Sequence, residues 1–158
     1  MVETYLKVID AIRSGCKWAN WLDWEKGQLD EPERFNSIVT PGVLVDPSAI
    51  EWEELGKSHQ LGFGPLTVKL VTMLPAQTYA LDPTVSENAK AQEMADKLHG
   101  TLIKTPGIIR RTGNARPYWV STFFVIEQTY EFRYTFDPCI PTAPLPAPQI
   151  TATVTVPI

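Results

Sequence analysis

Cysteine, histidine and methionine are scarce in this chain, and a surplus of positive charge is missing: its 158 residues include two cysteines, two histidines and three methionines. Cys16 and Cys139 stand far apart and form no CxxC or other metal-ligand spacing, which argues against both a zinc site and a disulfide framework. With 14 basic against 18 acidic residues the net charge is −4. A protein that grips nucleic acid through its phosphates needs clustered Lys and Arg, so that class is excluded by composition. No stretch approaches the roughly 18 apolar residues of a membrane span, and "MVETYLKVIDAIRSG" lacks a charged segment followed by an apolar one. The expectation is a protein made and kept in a reducing cytoplasm. Its hydrophobic content of 44% and charged content of 20% are ordinary for a globular chain. One domain plus an appendage is the economical reading for this length.

Catalytic constellations are lacking too. His59 falls in a glycine-rich stretch and His99 near a helix end, and two isolated histidines in different elements are read as surface residues rather than as ligands or bases. "GFGPL" is not a phosphate loop, because it lacks the GK[ST] ending and precedes a strand instead of a helix. The acidic group Asp46, Glu51, Glu53 and Glu54 would suit paired-carboxylate chemistry, but no basic or histidine partner stands at a telling spacing, so a solvated strand end is the plainer reading. Cys16 reads as a core or near-surface thiol. Arg110, Arg111 and Arg116 lie close together in "IIRRTGNAR" and would suit phosphate or an acidic partner, with a solvated loop as the plainer reading. Of Trp18, Trp21, Trp24, Trp52 and Trp119, most belong in or beside a core, with one or two left for an interface.

What is present is a clear order of elements. Tyr5, Val8, Ile9 and Ile12 recur at helical spacing before Gly15, which predicts a helix of about three turns. "CKWANWLDW" reads as a strand, with the spacing of Trp18, Trp21 and Trp24 pointing to a bulge or an edge, and "EKGQLDEPERF" as a loop. Val43 to Val45 and Ile50 to Glu54 are short extended pieces around a Pro-Ser break. "GKSHQLGFG" is predicted to be a projecting loop, and "LTVKLVTML" a central strand with apolar residues on both faces. In "DPTVSENAKAQEMADKLHGTL" Asp82 is placed to cap a helix, Pro83 to open it, and Ala91, Met94, Ala95, Leu98 and Leu102 to form its apolar stripe. "TPGIIRRTGNARPYW" reads as a loop. In the last strand Ile126, Gln128, Tyr130, Phe132, Tyr134 and Phe136 alternate with Glu127, Thr129, Glu131, Arg133, Thr135 and Asp137, giving one aromatic and one polar face. The fold class expected is α+β: a mostly antiparallel sheet with two helices packed on one face, plus an extended C-terminal arm.

This succession resembles the tail terminator (tail completion) proteins of long-tailed phages and related prophages. The resemblance covers residues 1 to about 137 and rests on "PGVLVD", on "IEWEELG" with its glycine-rich continuation and following strand, on "KLHGTL" and "RRT", and on "YEFRYTFD". It implies a small structural subunit, without reaction, cofactor or metal, that assembles as a ring, typically a hexamer, on the head-proximal end of the tail tube. Such a ring caps the tail tube protein, meets the head connector or stopper protein, and lets genomic DNA pass through without specific binding. The implied location is the virion tail or neck, assembled in the bacterial host cytoplasm. Glu51, Glu53, Glu54 and His59 become candidates for the lumen or a ring face, since acidic walls let DNA slide. Arg110, Arg111 and Arg116 become candidates for a partner loop. Another head-tail connector ring is the near alternative; an enzyme or ligand-binding domain using the carboxylates with His59 is the alternative of a different class.

The division expected is a body over 1–137 and an arm over 138–158. From Pro138 onward no side chain is charged, and Pro138, Pro141, Pro144, Pro146 and Pro148 crowd the first half. That density favours polyproline II, a spacer of about 30 Å. Beyond it Ile150, Ala152, Val154 and Val156 alternate with Thr151, Thr153 and Thr155, a strand pattern with no partner in its own neighbourhood. Such a strand can complete the sheet of a neighbouring molecule. Full burial of Ile150, Val154 or Val156 would contribute about 1.5–3 kcal/mol each, offset in large part by the cost of ordering the arm. The arm therefore reads as an interaction element, and removing it is expected to leave the body intact. A chain truncated after Asp137 should keep the far-UV circular dichroism and cooperative thermal unfolding of the full chain; loss of both would place the strand within its own fold.

Overall fold

Period-two alternation over more than a dozen residues is what a long strand needs to bury one face, and two segments of the chain carry it side by side. In the computed structural model, which describes residues 2–31, 38–47, 50–56, 59–73 and 85–136, strands β4 (His59–Thr72) and β6 (Phe123–Phe136) run antiparallel from the Gln60↔Phe136 pair to the Thr72↔Phe124 pair. The other strands gather round this ladder: β1 (Trp21–Trp24), β2 (Gly42–Asp46), β3 (Glu51–Gly56) and β5 (Ile108–Val120). The order is β1-β2-β4-β6-β5, with β3 lying beside β4 beyond the end of β2, and only the β1–β2 pairing is parallel. The fold is thus α+β, a mostly antiparallel sheet with two helices. The arm over 138–158 and the helix-opening Asp82 and Pro83 lie outside the described residues.

Helices α1 (Val2–Gly15) and α2 (Val85–Leu102) cover one face. Tyr5, Val8, Ile9 and Ile12 from α1 and Ala91, Ala95, Leu98 and Leu102 from α2 join Val43, Val45, Leu66, Val68, Leu70, Ile126, Tyr130, Phe132 and Tyr134 in the main core. These are the stripes that the sequence spacing marks. The alternating strand positions point the other way. There Leu29, Leu44, Val71 and Val125 form a second, smaller cluster with Trp21, Ile38, Tyr118, Val120 and Phe123 packed around it. The face without helices is therefore partly roofed by the turn after β1. Gln28 fixes that turn, its Nε2 donating to the Trp24 carbonyl at 2.6 Å. Burial of Leu29 then follows from the turn's position.

Two stretches expected as loops are strands. "HQLGFG" forms the first half of β4 instead of projecting, and its glycine is the reason: a Cβ at Gly62 would come within 2.9 Å of Ile50 Cγ2 and 3.0 Å of the Trp52 ring, so the strand is thinned to let β3 side chains cross it. Pro65 follows in the gap between the last β2 pair, Asp46↔Thr67, and the first β3 pair, Glu51↔Phe63. A central strand can give up a donor where its neighbour changes. "IIRRTGNARPYWV" is β5, an edge strand whose turn-like Gly-Asn and Pro117 are absorbed by register shifts at Ile108/Arg110 and Thr112/Arg116. Bulges and proline are characteristic of edges.

Before β5, Gly107 adopts φ +97°, and a Cβ there would meet the Phe132 ring at 2.8 Å and the Arg133 carbonyl at 3.1 Å. Its own carbonyl accepts the Arg133 N–H at 2.8 Å, which ties the α2–β5 turn to β6. Gly107→Ala is expected to destabilise the domain by about 1–3 kcal/mol, seen as a lower urea midpoint. A neutral result would show that the turn relaxes freely.

Candidate interaction surface

Every residue of β3 is exposed, and on its outer side no described strand pairs with it. The register sorts its side chains. Glu51 stands opposite Phe63 and Glu53 opposite Leu61, on the face of Lys69, whereas Trp52 stands opposite Gly62 and Glu54 opposite Gln60, on the helix side. The structure thus brings Glu51 and Glu53 to one face and sends Glu54 to the other. Trp52 remains 44% exposed and Leu55 57% exposed. His59 begins β4 opposite Gly56, so it is four residues from the Glu51 position, about 13 Å along a strand.

Glu51 instead shares an open groove of about 310 Å³ with Phe63, Pro65, Thr112 and Glu131. Arg110 closes onto Glu131, Nε to Oε2 at 2.7 Å, and Arg133 lies over the Phe63 ring at 5.3 Å from its centre. The three arginines expected in a partner loop are spread along β5. Arg110 is in that ion pair, Arg116 lies 5.8 Å from the Tyr118 ring centre, and Arg111 acts on His99 and Tyr130 on the helix side. Among the described residues no group of three His, Cys, Asp or Glu side chains is placed to hold a metal ion, and no helix is long and apolar enough to cross a membrane.

Two polar arrangements beneath these surfaces were not marked by the sequence. Toward the second cluster, Lys69 Nζ meets Glu25 Oε2 at 2.8 Å with both side chains mostly buried, and the Tyr118 hydroxyl donates to Glu127 at 3.3 Å. Burial works against the Lys69 ammonium, but the hydrogen bond and charge of Glu25, with Tyr118 and Glu127, outweigh it and raise its pKa. In the main core Tyr130 donates to Gln128 Oε1 at 2.7 Å, and Gln128 Nε2 donates to the Ala95 carbonyl at 3.1 Å. With the phenol proton so engaged, His99 Nδ1, 3.1 Å away, is the donor to the Tyr130 oxygen. His99 is therefore a half-buried strut between α2 and β6 and not a free surface residue. Burial lowers its pKa, Arg111 pushes the same way, and Asp96 opposes. The signal in the sequence was Gln128, the single polar residue on an aromatic face.

No family model matches the chain, and no curated protein matches it.

Burial holds the phenols of Tyr5 and Tyr130 well above their ordinary range, that of Tyr134 is pushed up to about 12, and that of Tyr118 is raised as well. Together with Lys69, these groups lose their protons at higher pH in the folded chain than in the unfolded one. Their contribution to stability is complete below about pH 10 and is lost as pH climbs through the folded values. Urea unfolding is expected to show a constant midpoint from neutral pH to about 10 and a steep fall above it, with tyrosinate absorbance appearing alongside unfolding. Tyrosinate formed at ordinary pH with the fold intact would contradict this account.

Proposed function

We propose that the protein is a structural ring subunit of the tail-terminator kind, capping a phage tail tube and joining it to the head connector while DNA passes through the lumen. The observation that carries this reading is the outer edge of β3, unpaired among the described residues, exposed at every residue and bearing Trp52 and Leu55 beside three carboxylates. A strand edge left open in this way is a template for pairing with another chain. When one subunit's edge meets a different surface of the next, the contact is head-to-tail, and a rotation that closes makes a ring. The α+β body agrees with what the sequence resemblance implies. Glu51 and Glu53, on one face of β3, are the residues assigned to the lumen or a ring face, where negative charge keeps DNA from adhering. Glu54 and His59 go to the subunit boundary, and Arg110 and Arg116 on β5 to the opposite flank. The role asked of the protein is mechanical, with no chemical step.

Native mass spectrometry of the full chain, alone and with tail tube protein, tests this directly. The expected result is a homo-oligomer, free or on the tube, that weakens when residues 138–158 are removed. A chain that stays monomeric with the tube protein present would overturn the ring reading. Assembly with the head connector but not with the tube would move it to a neighbouring ring of the neck.

A further inference from the structure

The sheet has three outer edges among the described residues, and they differ in what they can accept. β1 is only four residues long. β5 is long, but two register shifts, Pro117 and the exposed Arg110 and Arg116 interrupt it. β3 has six residues without proline and a single irregularity at its end. Its three carboxylates set a condition on any occupant, because like charges placed opposite each other destabilise a pair. A second β3 is refused on that ground. An uncharged strand is not.

The chain contains such a strand. Ile150 to Val156 is uncharged and alternates apolar residues with threonine, and Pro157 then removes a donor and ends the pattern. Laid along β3, its apolar row can extend the side on which Trp52 lies exposed, with threonine hydroxyls beside Glu51 and Glu53. The spacer decides whose β3 it reaches. The last described residue of β6, Phe136, is opposite Gln60, which is opposite Glu54, so a strand on the outer side of the subunit's own β3 is three strand spacings away, about 14 Å. The polyproline II spacer expected from the sequence of 138–148, about 30 Å long, is about twice that distance, which suits a neighbour's β3 better than its own.

We infer that the outer edge of β3, unpaired among the described residues, is the seat for the Ile150–Val156 strand of a neighbouring copy, each subunit donating one strand and accepting one. This rests on the ring reading and names the contact that closes the ring.

The test uses the full chain with Cys139→Ser, leaving Cys16 buried. One tagged population carries Glu53→Cys, and a second, differently tagged, carries Thr151→Cys, Thr153→Cys or Thr155→Cys in turn, so that every register is sampled. The two are mixed with tail tube protein and mildly oxidised. The expected result is a covalent heterodimer on a non-reducing gel for at least one of the three, and none when Ile109→Cys on β5 replaces Glu53→Cys. An intramolecular disulfide in the dilute double variant would assign the strand to its own subunit and overturn the inference. Cross-linking to Ile109→Cys would overturn the choice of edge. No disulfide while native mass shows a homo-oligomer would sink this contact and leave the ring standing. A monomer throughout would sink both.

Discussion

The antiparallel pairing of β4 with β6 is the constraint on which everything else in the molecule depends. Strand side chains alternate, so the pair presents Leu66, Val68, Leu70, Ile126, Tyr130, Phe132 and Tyr134 to the helices and Val71 and Val125 to the other side. A slip of one residue would turn the aromatic row to solvent and leave both helices without a floor. Because the burial is so unequal, the register is strongly specified. The same ladder sets how far β4 extends past the end of β2, and that overhang is the bed on which β3 lies.

The two faces of the sheet solve different problems. The helix face holds a large apolar core, crossed at one place by the chain of His99, Tyr130, Gln128 and the Ala95 carbonyl. The other face is mixed. Its small cluster under Leu29 and the Lys69–Glu25 pair hold the turn after β1 down, and the remainder is a charged surface with a groove. The core is nearly complete, while the outer edge of β3, unpaired among the described residues, carries only its carboxylates against a like-charged strand.

The helices and the central strands were legible in the sequence because their signal is local: Val8, Ile12, Ala95 and Leu98 repeat at helical spacing, and Val68, Leu70, Ile126 and Tyr130 alternate. β5 was not legible. Gly113, Asn114 and Pro117 are turn residues by local preference, and only the long β6 beside them supplies enough pairing to draw them into a strand through bulges. The first half of β4 failed for a related reason, since Gly62 and Gly64 signal a loop unless one knows that Trp52 must pass over them. At the surface, the carboxylates of β3 and the arginines near 110 were visible as types. Their division between faces depends on cross-strand register, which no single segment contains.

The polar chain in the helix-face core has a mechanical consequence. An interface made only of leucine and alanine is tolerant of sliding, and a helix can shift by one turn, about 5.4 Å, while still meeting apolar atoms. Hydrogen bonds are directional and fail over a few tenths of that distance. The Gln128 amide on the Ala95 carbonyl and the Tyr130 oxygen under His99 therefore act as a key between α2 and β6. Sliding of α2 over β6 would have to break these bonds, so the helix layer is held in one register on the sheet.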